Sequence, residues 1–129
     1  MKNNTLTDLL NDNPDSLKRV YLFQQEYQTA LGYETGGIEN MRRNVLYAFA
    51  ELAELLNEIP GWKWHRSDRR ALDKKRLVDE FADVFVFLLN VLIHAGVSVE
   101  ELEQGLTKTL NKNLDRLNNG TNKGENPDG

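Results

Sequence analysis

Two acidic pairs, Glu51-Leu-Ala-Glu54 and Glu80-Phe-Ala-Asp83, have the residue types and spacing to do chemistry. Side chains three apart on a helix lie about 60° apart, so each pair projects from one side and can share a ligand. Around Glu80, the residues Leu77, Val84, Phe87 and Val91 recur at helical spacing, an apolar face that predicts Glu80 and Asp83 turned inward. Asn90, seven residues after Asp83, falls on nearly the same line. Four carboxylates gathered inside a protein raise one another's pKa, and desolvation raises it further; a divalent cation resolves the conflict. Mg²⁺ takes oxygen ligands, keeps several waters and borrows phosphate oxygens from a substrate. Acid pairs on two antiparallel helices would therefore make a platform for a metal-bound triphosphate. The alternative is a pair of solvated charged faces. With 20 acidic residues in 129, chance alone gives about three acid-x-x-acid pairs. One pair decides nothing; two pairs on two long helices, 25 residues apart, carry the weight.

The stretch between the pairs holds Trp62, Lys63, Trp64, His65 and Arg66. It offers either an aromatic face for a base and cations for phosphate, or two tryptophans that simply cover the end of a bundle. Lys112 and Arg116, one helical turn apart, either reach phosphate oxygens or are ordinary surface charges. Gln24, set among Val20, Tyr21, Tyr27 and Leu31, either bonds a base edge or is a satisfied core amide. His94 is expected to end its helix and interact with the helix C-terminus, and His65 is too isolated for a His-metal motif. No P-loop, nucleophile elbow or CxxC occurs, so those mechanisms are not indicated.

These residues need helices to position them, and the sequence supplies little else. Pro14, Pro60 and Pro127 all fall outside long segments rich in Leu, Glu, Lys and Ala, and no run shows strand alternation. The expected fold is an all-α, compact bundle of four main helices, completed by oligomerisation. A short helix is expected over residues 6 to 11, before the Asn13-Pro14 turn. The next starts at Asp15 or Ser16 and is ended by Gly32 and then Gly36-Gly37. The third runs from Glu39 to Glu58, stopped by Pro60-Gly61; the fourth runs from Asp73 to His94, with Gly96 closing it. Ser98 and Glu101 form a capping box for a fifth, ending near Asn118. Residues 1–118 read as a single domain and 119–129 as a disordered polar tail.

At 129 residues and 14.8 kDa the chain has room for one core. Its 16 basic and 20 acidic residues give a net charge of −4, which argues against a nucleic-acid partner. It contains no cysteine, which excludes disulfides and thiol chemistry and fits a cytoplasmic protein. MKNNTLTDLL lacks the apolar stretch of a signal peptide, and Phe81 to Ile93 is too short and polar to cross a bilayer. A soluble protein without a membrane partner is expected.

E-x-x-E, a spacer of 25 residues and E-x-x-D on consecutive helices resembles the signature of the all-α nucleoside triphosphate pyrophosphohydrolases, the superfamily of MazG-like enzymes and dimeric dUTPases. RRNVLYAFAELAELLNEIPGWKW is similar to the first acidic stretch of dimeric dUTPase-like proteins. DEFADVFVFLLNVLIHAGVSVEEL is closer to the MazG type, as is the later Lys112/Arg116 spacing. The likeness spans residues 38 to 117, and more weakly 17 to 31. It implies Mg²⁺-dependent hydrolysis of a (d)NTP to the monophosphate and pyrophosphate, with Mn²⁺ as a substitute ion. By the resemblance, Glu51, Glu54, Glu80 and Asp83 hold the metal, and Glu51 or Glu54 activates the water. Glu58 extends the same line toward a second ion. Lys63, Lys112 and Arg116 bind phosphates, and Gln24, Trp62, Trp64 and Asn90 frame base and sugar. A homodimer or homotetramer is implied, part of each site coming from a partner chain. Val86 and Gln28 stand where dimeric dUTPases often carry His and Asp, so the base is left open among dUTP, dCTP and purine dNTPs. The competing readings are a non-catalytic helical dimerisation or regulatory module and a nucleotide sensor that binds without hydrolysis.

Overall fold

Four long helices carry most of residues 17–32 and 36–120, the parts of the computed structural model described here: α1 (Leu17–Ala30), α2 (Ile38–Asn57), α3 (Lys74–His94) and α4 (Val99–Asn119). No strand occurs among the described residues, so the fold is all-α as expected. The short helix expected over residues 6 to 11, the Asp15 or Ser16 cap and the tail from residue 121 onward lie outside them.

Local chemistry sets the helix ends. Asp73 caps α3 by accepting the Arg76 backbone N–H at 3.2 Å, and Gly96 follows the last turn at φ 78°. At the start of α4, Ser98 accepts from the Glu101 N–H at 3.1 Å while Glu101 accepts from the Ser98 N–H at 2.8 Å, both halves of a capping box. The Gly36-Gly37 pair, expected to end the preceding helix, instead opens α2. Gly37 takes φ 95° and ψ 155° at the N-cap, a backbone conformation essentially restricted to glycine. Helix α1 has already stopped at Ala30.

The chain divides after Gly96 into two compact units. In the first, α2 and α3 pack along their lengths and α1 lies against α3. Partners show the directions: Asn44 meets Asn90 and Glu58 meets Arg76, so α2 and α3 are antiparallel. Gln24 meets Asn90 and Gln28 meets His94, so α1 and α3 run parallel. Among the described residues of this unit, Tyr21, Ala48, Val84 and Leu89 are the buried apolar side chains, and Tyr47 packs on Phe87 with ring centroids 5.4 Å apart. Alongside them Gln24, Gln28, Asn44, Glu58, Asn90 and His94 are buried polar groups. An interior this polar must be closed by hydrogen bonds or by a ligand. In the second unit, α4 presents Leu106, Leu110, Leu114 and Leu117 along one line of its surface. Among the described residues no single helix is long and apolar enough to cross a membrane.

Candidate functional site

The buried polar side chains form a directed relay across the three helices. Gln24 donates from Nε2 to Asn90 Oδ1 (2.9 Å), Asn90 donates from Nδ2 to Asn44 Oδ1 (3.1 Å), and Asn44 donates to the Asn40 carbonyl (2.9 Å). One turn further along α3, His94 Nδ1 accepts the Gly36 backbone N–H at 3.0 Å, and Nε2 lies 3.1 Å from Gln28 Oε1. Gly36 can only donate, so Nδ1 is the bare nitrogen and Nε2 carries the hydrogen given to Gln28. Burial pushes the imidazole pKa below its ordinary value, which keeps it neutral. These groups, with Tyr27, Tyr47 and Phe87, line a cleft of about 600 Å³ that also takes in Arg43 and Val86. That volume and mixed lining suit a small organic ligand.

Seven residues on from Asn44, and seven back from Asn90, stand Glu51 and Asp83. Seven residues make two turns, about 10 Å along either helix, so amides and acids share one face. Carboxylate oxygens of Glu51, Glu80 and Asp83 lie within 4.8 Å of one another. Burial, and then the charges of Asp83 and Glu54, raise the Glu51 carboxyl above its ordinary pKa. Burial, followed by Asp83, Glu51, Glu54 and Glu58, does the same for Glu80. The donor set fits a hard divalent ion: oxygens on opposite sides of Mg²⁺ stand about 4.1 Å apart, within a small rotamer adjustment of the observed cluster. Two details differ from the expected inward quartet. Asp83 is exposed, because a step of three residues from half-buried Glu80 carries it toward the rim. Glu54, the same step from Glu51, is exposed and stands outside the close group, although its charge acts on both Glu51 and Glu80.

Glu58, seven residues beyond Glu51, is 8% exposed and held by Arg76 in a two-pronged ion pair at 3.2 and 3.0 Å. The position considered for a second ion therefore already has its countercharge. Past α2 the chain turns back on itself. The Asp68 carboxylate accepts the Gly61 N–H (3.0 Å) and Arg70 Nε (3.1 Å), while Arg70 donates to the Asn57 carbonyl. Those bonds, the Gly61 N–H first, hold the Asp68 pKa below the ordinary value. Trp62 donates to Asn57 Oδ1 at 3.1 Å, with Lys63 Nζ 5.3 Å from its ring centroid. Both border a cavity of about 260 Å³ with Arg66.

Of the residues singled out from sequence, Glu51, Glu80 and Asp83 come together, as do Gln24 and Asn90, two turns away along the helices. Trp62 and Lys63 border the loop cavity rather than the amide cleft, and Trp64 is 89% exposed. Neither tryptophan closes the bundle as a buried cover would. Lys112 and Arg116 lie one turn apart on α4, in the second unit. His94 ends α3 as expected, but its ring reaches inward to Gly36 and Gln28 rather than to the helix C-terminus. It was missed as part of the site, together with Gln28 and Asn44. Their signal was available: Gln24/Gln28, Asn40/Asn44 and Asn90/His94 are three polar pairs at i, i+4, each on a helix face that otherwise looks like core.

An all-α scaffold with a carboxylate cluster two turns from an amide-lined cleft is the class of protein that the described residues define. A family model described as dUTPase matches residues 16–123, and the chain belongs to that family, within the MazG-like and dimeric dUTPase-like all-α superfamily. Its family is one of nucleoside triphosphate hydrolases. No curated protein and no solved structure matched the chain.

Proposed function

We propose that this protein is a Mg²⁺-dependent nucleoside triphosphate pyrophosphohydrolase, converting a (d)NTP and water to the (d)NMP and pyrophosphate. The observation that carries the reading is the approach of Glu51, Glu80 and Asp83 within 4.8 Å, two turns from a cleft lined by amides and aromatic rings. Glu51, Glu80 and Asp83 hold the ion, with Glu54 joining from the exposed side. When bound, Mg²⁺ neutralises the charge developing on the phosphate oxygens and lets the acids sit together ionised. Glu51 orients a water at its carboxylate and takes its proton. The water oxygen bonds to the α-phosphorus as the bridging P–O bond to the β-phosphate breaks, and pyrophosphate leaves. Gln24, Asn90 and Asn44 present their relay to the base and sugar, and Tyr47 and Phe87 wall the cleft. Lys63 binds phosphate oxygens in this reading, while Trp62 and Trp64, apart from the cleft, take no part in holding the base there, and Lys112 with Arg116 form a separate cationic pair on α4.

A second copy of the chain completes the assembly in this reading. Val45, Phe49, Leu52 and Leu56 on α2, with Ile59 just past its end, alternate at spacings of four and three, the pattern of a helix-pairing seam, and all five are exposed. Phe49, Leu52, Leu56 and Ile59 line an apolar groove of about 440 Å³. The test is a panel of ribo- and deoxyribonucleoside triphosphates with Mg²⁺, following pyrophosphate. Release from at least one of them, abolished in Glu51→Gln, is the expected result. No release from any triphosphate overturns the enzymatic reading and leaves the binding module.

A further inference from the structure

The acid cluster accounts for the phosphate chemistry, and the Gln24–Asn90 contact accounts for a base-facing amide. Neither accounts for His94, a buried imidazole two turns and more from the acids, with both nitrogens engaged. Its Nδ1 is claimed by the Gly36 N–H at 3.0 Å, in the glycine turn that opens α2. Its Nε2 therefore donates to Gln28 Oε1 at 3.1 Å. A carboxamide can present either end to its surroundings, and here the choice is made for it. With Oε1 facing His94, the groups that Gln28 can offer the cleft it lines are its two Nε2 hydrogens. One turn away on the same face of α1, Gln24 has given an Nε2 hydrogen to Asn90, which leaves Oε1 as its acceptor.

We propose that His94 is a positioning residue for nucleotide specificity: fixed by the Gly36 N–H, it locks the Gln28 carboxamide so that Nε2 donates to an acceptor atom on the base, beside the acceptor offered by Gln24. The proposal rests on the reading that the cleft receives the base of a nucleoside triphosphate. The cleft then meets an edge that carries a donor and an acceptor side by side. Without His94, Gln28 would be free to turn over and present an oxygen, and the edge would meet two acceptors.

Two substitutions separate this role from mere support of the turn. The carboxamide of Asn reaches the place of imidazole Nδ1, so His94→Asn keeps an acceptor for Gly36 and loses the donor to Gln28. The longer Gln reaches the place of Nε2, so His94→Gln keeps that donor and loses the acceptor. With the triphosphate turned over best, His94→Gln is expected to hold KM within about threefold of wild type. His94→Asn is expected to raise it about tenfold, the worth of one oriented hydrogen bond, with kcat changed less than about threefold and discrimination between bases reduced. The reverse order, with Asn harmless and Gln harmful, makes His94 a prop for the glycine turn and overturns the proposal. Imidazole ¹⁵N spectra of the wild-type chain provide a reading that requires neither variant to fold. A hydrogen on Nε2 and none on Nδ1 is expected, and the opposite tautomer overturns the lock. Failure of the catalytic reading shows separately, as wild-type protein releasing no pyrophosphate from any triphosphate.

Discussion

Glu51 and Glu80 carry a cost that the fold alone does not remove. Their pKa values are raised in the native state, so the native chain holds more protons than the unfolded chain above pH 4.5, the ordinary glutamate value. Stability without metal is therefore expected to fall as pH rises from 4.5 through the raised values. A divalent ion that binds only the native cluster reverses that loss. Thermal scans from pH 4 upward, in chelator and in millimolar Mg²⁺, check this; identical curves would count against a preformed site. His94 works in the opposite direction. Its native pKa is lowered from 6.5, so its contribution is complete above 6.5 and is lost as pH falls through the window below that value. Glu51→Gln with Glu80→Gln should leave the histidine's slope alone. By itself, Glu51→Gln is expected to lower kcat by about 10²–10⁴-fold while the circular dichroism spectrum stays helical. Asn90→Leu removes a group that serves both Gln24 and Asn44. Stranding a buried donor and a buried acceptor costs about 1–3 kcal/mol each, and urea denaturation measures the loss.

At the scale of elements, helix ends were legible wherever a side chain made them. Asp73, Ser98 with Glu101, Pro60-Gly61 and Gly96 all act as their residue types suggest. The glycine pair was assigned to the wrong helix, because glycine can serve either end and sequence does not say which backbone angle it adopts. In the structure Gly37 sits at φ 95° and ψ 155°, so Gly37→Ala is expected to destabilise by about 1–3 kcal/mol, read as a drop in Tm. The acid cluster was legible from spacing, apart from the outward position of Asp83 and Glu54; a three-residue step is enough to move a side chain from interior to rim. The amide relay was only half legible. Gln24 and Asn90 stood out singly, whereas for Asn44, Gln28 and His94 the i, i+4 polar pairs mark a shared face but not which of them meet across the three helices. That register lives between segments distant in sequence, and no local pattern encodes it.

For the whole molecule, the apolar seam along α2 leaves large side chains exposed among the described residues of the first unit. Phe49 is 63% and Leu52 46% exposed, and burying one such side chain is worth about 1.5–3 kcal/mol. A chain that pairs through this seam should melt at higher temperature as its concentration rises. Leu52→Glu is expected to give a monomer by light scattering and to abolish that dependence. Its inner-face acids and amides are untouched, so a loss of turnover in that variant would mean that the partner contributes to each site.

The contacts between α2 and α3 recur at one interval: Asn44 opposite Asn90, Glu51 opposite Asp83, Glu58 opposite Arg76. The two rods thus work as a ruler graduated every second turn. Inserting one residue between positions 44 and 51 would swing everything beyond it by about 100°, unhitching one graduation from the next while each helix stayed intact. Segment length within these rods is consequently as constrained as any side chain on them, and changes of length in this lineage should be found in the bend from 61 to 72, where no graduation is crossed.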